Sequence, residues 1–346
     1  MAQINKPNEY FNTKLYTGNG TDAHAITGFG FQPDLSWIKS RSSAKNPNIT
    51  DAVRGATKYL YTNTTGAEAT NSATLQSFDS DGFTLGTALS WNEVGQNYVA
   101  WNWLASNTTA SNTDGSITST VSANTTAGFS IVKFTSGASA GYSVGHGLGT
   151  TPSVIIQKIT SDVGGWLFCH KDMSASGITS GYLQLQTTDA FTSNANVFTN
   201  VNNSTVTQGS VISNNYEQIM YCFAEKKGFS KFGKYDGNAG VGAFVNNFQY
   251  LGFKPAFVMI KCYNAAESWN VFDNKRNGYN YQNNYLIPNT ADAEVSAPNQ
   301  GIDLLSNGFN PYYGTGTINR SGKSYIYMAF AENPLVGTNN IPTTAR

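Results

Sequence analysis

The residues best suited to contact another molecule lie in two stretches that mix tyrosine with amides. One is Asn274-Lys275-Arg276-Asn277-Gly278-Tyr279-Asn280-Tyr281-Gln282-Asn283-Asn284-Tyr285, and the other is Asn310-Pro311-Tyr312-Tyr313-Gly314-Thr315-Gly316. Tyrosine among Asn, Ser and Gly is the mixture that adaptable binding loops use, because it offers a large contact area at small entropic cost. Tyr279, Tyr281, Tyr285, Tyr312 and Tyr313 are therefore the candidate binding residues. The competing reading is a solvated or subunit-facing loop, since tyrosine is also common at strand edges.

Catalytic chemistry finds less support. A Ser-His-Asp triad would draw on His24, His146 or His170, yet no Gly-x-Ser-x-Gly elbow is present. His146 sits in Gly145-His146-Gly147, where a turn accounts for it. Cys169 and His170 are adjacent, so a strand points them to opposite faces and a shared zinc ion is disfavoured. Glycoside hydrolysis needs two facing carboxylates, and nothing in the spacing of Asp51, Asp79, Asp81, Glu93, Asp172, Glu267 and Asp273 selects a pair. Asp79-Ser80-Asp81-Gly82 begins like a calcium loop but lacks the remaining ligands, which leaves a tight turn. No catalytic residue, metal or cofactor is expected. Of the tryptophans, Trp37, Trp103, Trp166 and Trp269 recur at repeated positions, which favours core filling over sugar stacking.

The elements that must hold these residues are announced by a stretch the chain uses three times. Gly30-Phe31-Gln32-Pro33-Asp34-Leu35-Ser36-Trp37-Ile38-Lys39 returns as Gly149-Thr150-Thr151-Pro152-Ser153-Val154-Ile155-Ile156-Gln157-Lys158, and again as Gly252-Phe253-Lys254-Pro255-Ala256-Phe257-Val258-Met259-Ile260-Lys261. Glycine, proline and lysine keep the same spacing in each, which marks an internal repeat. A closing strand also recurs, aligning Trp103, Phe223 and Phe330. The expected organisation is all-β, with three tandem, related β-sandwich domains of jelly-roll-like form. They span residues 1–105, 127–226 and 227–333, with a Ser/Thr/Asn linker at 106–126 and a polar tail at 334–346. The linker carries one expected hairpin around Asp114-Gly115-Ser116.

Charged residues make up 12% of the chain, about half the usual share of roughly 25%. Abundant Gly, Asn, Thr and aromatics point to β structure with polar loops. A formal net charge of zero argues against nucleic acid, which requires a basic surface. No apolar run is long enough to span a membrane, and Met1-Ala2-Gln3-Ile4-Asn5-Lys6-Pro7 lacks the apolar core of a signal peptide. Cys169, Cys222 and Cys262 have no metal-ligand spacing and are expected to be small core hydrophobes, consistent with synthesis in a reducing cytosol.

Several segments together resemble a known family. They are Tyr16-Thr17-Gly18-Asn19-Gly20, Ile26-Thr27-Gly28-Phe29-Gly30-Phe31-Gln32-Pro33-Asp34, Asp51-Ala52-Val53-Arg54-Gly55-Ala56, Ser77-Phe78-Asp79-Ser80-Asp81-Gly82-Phe83 and Tyr98-Val99-Ala100-Trp101-Asn102-Trp103. They look like the repeats of virion structural proteins from tailed bacteriophages, marine and cyanobacterial ones especially, which are often labelled tail fibres. The likeness is strong over residues 10–105 and weaker in the other two copies, where Asp51 to Ala56 finds no clear counterpart. The resemblance implies a non-enzymatic virion surface protein, made in the host cytoplasm, that assembles as a homo-oligomer with other virion proteins. It supplies no catalytic residues. Within it, a tail fibre or adhesin contacting host surface glycan is the first reading. A capsid decoration or head-fibre protein is the second, and a polysaccharide depolymerase the third.

Overall fold

The computed structural model describes residues 3–337 and 342–344. The chain is all-β and its sheets are antiparallel. Copy one builds an inner sheet in the order Phe11–Thr17, Asn97–Trp103, Leu35–Ser40, Asn48–Asp51, Lys58–Tyr61, Ala69–Thr70. Copy two repeats the order with Phe129–Thr135, Glu217–Phe223, Val154–Ile159, Leu167–His170, Gly181–Gln184 and Thr192–Ser193. Copy three does so with Ser230–Asp236, Ser324–Pro334, Phe253–Cys262 and Asn270–Asp273. Each copy adds a three-stranded outer sheet: His24–Thr27 with Gly82–Leu85 and Leu75–Asp79, Ser143–Gly145 with Thr205–Gln208 and Phe198–Val201, Gln249–Tyr250 with Gly308–Pro311 and Ile302–Leu305.

The repeated motif owes its composition to its place in these sheets. Gly30, Gly149 and Gly252 take φ of 81°, 65° and 79°, a region closed to most side chains, and so turn the chain into the strand that follows. Every residue of Leu35–Ser40 and of Val154–Ile159 is buried. A strand covered on both faces reads as a continuous apolar run rather than an alternating one. One face packs on the outer sheet of the same copy: Ile38 and Ala100, for example, join Ile26, Phe83 and Leu85. The other face enters a core common to all three copies, where Trp37, Trp101 and Trp103 meet Ile156, Tyr221 and Phe223 and then Phe257, Met259 and Phe330. The three aligned aromatics close on one another there. Ring centroids are 6.3 Å apart for Trp103–Phe223, 5.5 Å for Trp103–Phe330 and 5.9 Å for Phe223–Phe330. All six tryptophans are buried.

The motif lysines fasten the copies into a ring. Lys158 of copy two donates to the Thr65 carbonyl of copy one at 3.3 Å, and Lys261 of copy three donates to the Thr188 carbonyl of copy two at 3.0 Å. Lys39 of copy one donates to the Thr290 carbonyl of copy three at 3.0 Å, which closes the circle. Burial pushes each ammonium down to about 8. Backbone carbonyls accept from each ammonium, three from Lys261, two from Lys158 and one from Lys39, offsetting part of the cost of burying the charge.

A second contact crosses two of the same junctions, with the donor on the same copy as the lysine. Asp51 of copy one accepts from the Arg54 guanidinium and, at 2.8 Å, from the Tyr221 hydroxyl of copy two. Asp273 of copy three accepts from Arg276 at 2.7 Å and from Trp101 Nε1 of copy one at 3.0 Å. Each arginine continues to a further carboxylate, Glu68 at 3.2 Å and Glu294 at 3.0 Å. The segment after Asp51 therefore does have a counterpart, Asp273-Asn274-Lys275-Arg276, which the sequence comparison overlooked. Between copies two and three the aligned partner is Met328, which cannot donate, and the acid is replaced by His170, the arginine by Met173 and the glutamate by Phe191. His170 meets the Tyr327 carbonyl at 3.3 Å instead. Two junctions carry a buried ion pair at this position and the third does not.

Residues 106–126 are more than a tether. Ala110–Asn112 and Ser119–Asn124 form an antiparallel pair, and the latter joins the outer edge of Phe129–Thr135, placing Val121 in the core of copy two. Among the described residues the matching edges of copies one and three carry no such strand. Lys14 there reaches the space beside Gly28, and Lys231 lies over the Tyr250 ring at 5.3 Å. Lysine on an open edge discourages pairing with another chain. Ahead of Phe11–Thr17, Ile4 is buried in the common core and donates its N–H to the Lys227 carbonyl, and Gln3 Nε2 donates to the Val336 carbonyl at 2.7 Å.

Candidate functional site

Copy three differs from the others at the loops flanking its outer sheet. The connection from Ser230–Asp236 to Gln249–Tyr250 spans residues 237–248, longer than the corresponding 18–23 and 136–142. It is knitted to the loop 312–323 by Asn319, which is fully buried. The Asn319 amide donates to carbonyl oxygens of Val245 and Tyr312 at 3.1 Å, and its oxygen accepts from Asn247 Nδ2 at 2.7 Å. Asn92 does the same for copy one, donating to the Thr21 and Gly86 carbonyls at 2.8 Å. The two loops approach so closely at Gly314 that an added Cβ would stand 1.7 Å from the Gly240 carbonyl oxygen. Only glycine fits there.

These loops hold an aromatic cluster at the surface. Phe244, 59% exposed, lies flat on Tyr312 with centroids 4.4 Å apart and planes 11° apart, and meets Tyr313 edge-on at 5.3 Å. Tyr281 reaches Tyr312 at 6.3 Å and Tyr313 at 6.1 Å. Asn280 pins the Tyr281 segment to the outer sheet through the Leu304 backbone, at 3.0 and 2.9 Å. Offset and edge-on rings of this kind stabilise one another. Burial, then Tyr313 and Asp303, push the Tyr281 phenol up to about 12.

Asp303 stands on the outward-facing side of Ile302–Leu305, half-buried and opposite Asn310. Burial raises its pKa. Among the described residues no hydrogen bond or ion pair reaches its carboxylate. In copy one the same register position is Ser77, opposite Thr84, and both hydroxyls donate to the neighbouring Asp79, at 2.8 and 2.7 Å. Copy three thus has a carboxylate where copy one has a hydroxyl.

Of the five tyrosines singled out by composition, Tyr281, Tyr312 and Tyr313 come together. Tyr279 is 83% exposed on the tip preceding them. Tyr285 is not at the surface: it packs on Phe272 at 6.0 Å in the core of copy three, because Asn284–Tyr285 pairs with Val295–Ser296 and turns the ring inward. Tyr312 is 9% exposed and serves as the floor on which Phe244 rests. Phe244, Asp303 and Asn319 were missed. A signal existed for the last, since Asn92 and Asn319 precede the paired strand tyrosines Tyr98 and Tyr325 at the same distance.

The remaining candidates are absorbed by structure. Asp51 and Asp273 are held by arginines. Asp81 accepts the backbone N–H groups of Gly30 at 2.7 Å and Gly28 at 3.0 Å, which lowers its pKa and ties the turn to the repeated motif. Burial holds His170 down to about 3, lowers His146, and pushes the Cys169 and Cys222 thiols up. Among the described residues no group of three His, Cys, Asp or Glu side chains could hold a metal ion. No helix among them is long and apolar enough to cross a membrane.

No curated protein and no solved structure matches the chain. One family does, over residues 6–334, and it embraces all three copies as a single unit. The chain belongs to the family described as a domain of unknown function, DUF7483.

Proposed function

We propose that this chain is a bacteriophage virion surface protein, a tail fibre or tail-associated component, that touches the host through copy three and acts by contact rather than catalysis. The observation that carries the contact is the exposed ring of Phe244, resting on buried Tyr312 and flanked by half-buried Tyr281 and Tyr313 on copy three, beside a carboxylate that no described residue bonds. Contiguous exposed apolar surface on a folded chain marks an interaction site. The host group it meets is a surface glycan, since aromatic faces and amides are what sugar rings and hydroxyls engage. The virion setting rests on the resemblance of residues 10–105 to phage repeats. On this reading each copy is a jelly-roll-like β-sandwich, and the chain works as a homo-oligomer among other virion proteins.

The second reading, a capsid decoration or head-fibre protein, is favoured by one feature. The three copies share a core and a ring of junctions, and the described residues build no extended shaft. Labelling the chain on intact virions and imaging them separates the two. Label at the tail supports host contact, whereas label spread over the capsid overturns it and leaves decoration.

A further inference from the structure

We infer that the outer face of copy three is a binding site for a neutral glycan, with the Phe244–Tyr312 stack as the platform for a pyranose ring and Asp303 as the acceptor of its hydroxyls. This deepens the glycan-contact reading above and rests on it.

Three observations select the ligand. The first is the platform. Phe244 is held flat by Tyr312 beneath and Tyr313 at its edge, so one face of its ring remains open, 59% exposed. An aromatic face carries partial negative charge. It attracts the C–H-lined face of a pyranose, and a rigid ring gives up little entropy on contact. The second is the acceptor. An ionised carboxylate is acceptor-only, with room for several donors, and Asp303 is given none by the protein. Sugars offer vicinal hydroxyls, and O–H bonds to a carboxylate are among the stronger hydrogen bonds. The third is charge. Among the described residues the cations that lie over aromatic rings are Lys231 on Tyr250 and Lys261 on Trp269, and neither ring belongs to this cluster, whose one named charge is the Asp303 carboxylate. A uronic acid or sulfated sugar placed on Phe244 would set its charge against that of Asp303, and like charges discriminate against the wrong partner. The neutral class follows. Copies one and two do not repeat the site: Ser77 opposite Thr84 in copy one and Asn200 opposite Thr207 in copy two stand where copy three has Asp303 opposite Asn310.

The test uses the full chain and host surface polysaccharide separated by anion exchange into neutral and acidic fractions, each titrated by calorimetry. Neutral material is expected to bind, and both Asp303→Asn and Phe244→Ala to weaken it about tenfold or more, as loss of a charged hydrogen bond or a stacking face implies. Val163→Ala, 66% exposed on copy two, should leave binding unchanged. Far-ultraviolet circular dichroism confirms that each variant is folded. Binding of the acidic fraction alone, or of the neutral fraction with Asp303→Asn as good as the parent, overturns the neutral assignment and leaves glycan contact standing. If neither fraction binds, both readings fall.

Discussion

Arg276 offers the sharpest test of how the ring is held. Its guanidinium is buried between Asp273 and Glu294 and donates to the Val271 carbonyl at 2.7 Å. Arg276→Met leaves Asp273, 1% exposed, with only Trp101 Nε1 and two backbone N–H groups for its charge. Removing one partner of a buried pair costs about 3–5 kcal/mol, because the other charge stays desolvated. Replacing the whole network by apolar groups is often close to neutral. The chain contains such a replacement already, at the junction where His170, Met173, Phe191 and Met328 occupy the corresponding positions. Asp273→His, Arg276→Met, Glu294→Phe and Trp101→Met together copy that junction into the one between copies three and one. We expect the single variant to lose about 3–5 kcal/mol, and the quadruple variant to recover all but about 1–2 kcal/mol of it. Urea unfolding followed by circular dichroism reads both. A single-variant loss below about 1 kcal/mol, or a quadruple loss near the sum of its parts, refutes the reasoning.

Three further outcomes follow from the same geometry. Lys261 titrates near 8 in the folded chain and near 10.4 unfolded; between those values the unfolded chain binds more protons, so folded stability rises with pH. Lys261→Met lacks that rise, and its deficit relative to the parent should widen by up to about 3 kcal/mol from pH 7 to pH 10.5; a deficit independent of pH contradicts the shift. Asn319→Ala strands carbonyls of both loops and should cost about 1–3 kcal/mol while weakening glycan binding; Asn92→Ala should cost as much without touching binding, as titration and unfolding together would reveal. Tyr285→Ala should lose about 3 kcal/mol or more by opening a core cavity, whereas Tyr279→Ala should stay within about 0.5 kcal/mol, being a surface change.

Much of the ring was legible because its parts recur. The glycine, proline and lysine of the three motifs and the aligned Trp103, Phe223 and Phe330 could be read from spacing alone. Their spacing did not reveal that the lysines are buried. A strand ending in lysine looks like one emerging into water, and only the arrival of a neighbouring copy's carbonyl converts it to an interior group. The Asp51-to-Arg54 counterpart escaped for a similar reason. Arg276 lies inside, and Asp273 immediately before, a stretch whose tyrosines and amides suggested surface chemistry, while a third of that stretch is buried. The candidate site was legible in part. Tyr281, Tyr312 and Tyr313 carried the composition of a binding loop, but Phe244 and Asp303 looked ordinary in sequence and gained meaning from the partners around them. Tyr285 shows the limit in the other direction, since pairing decides which of two similar tyrosines faces the core.

The measurement that tests the central claim most directly is adsorption of virions carrying the Phe244→Ala, Tyr313→Ala double variant, at parental levels of incorporation, to host cells. The account predicts an adsorption rate at least about tenfold below that of the parent, the loss expected when an aromatic contact at the centre of an interface is removed. Adsorption at the parental rate would contradict it.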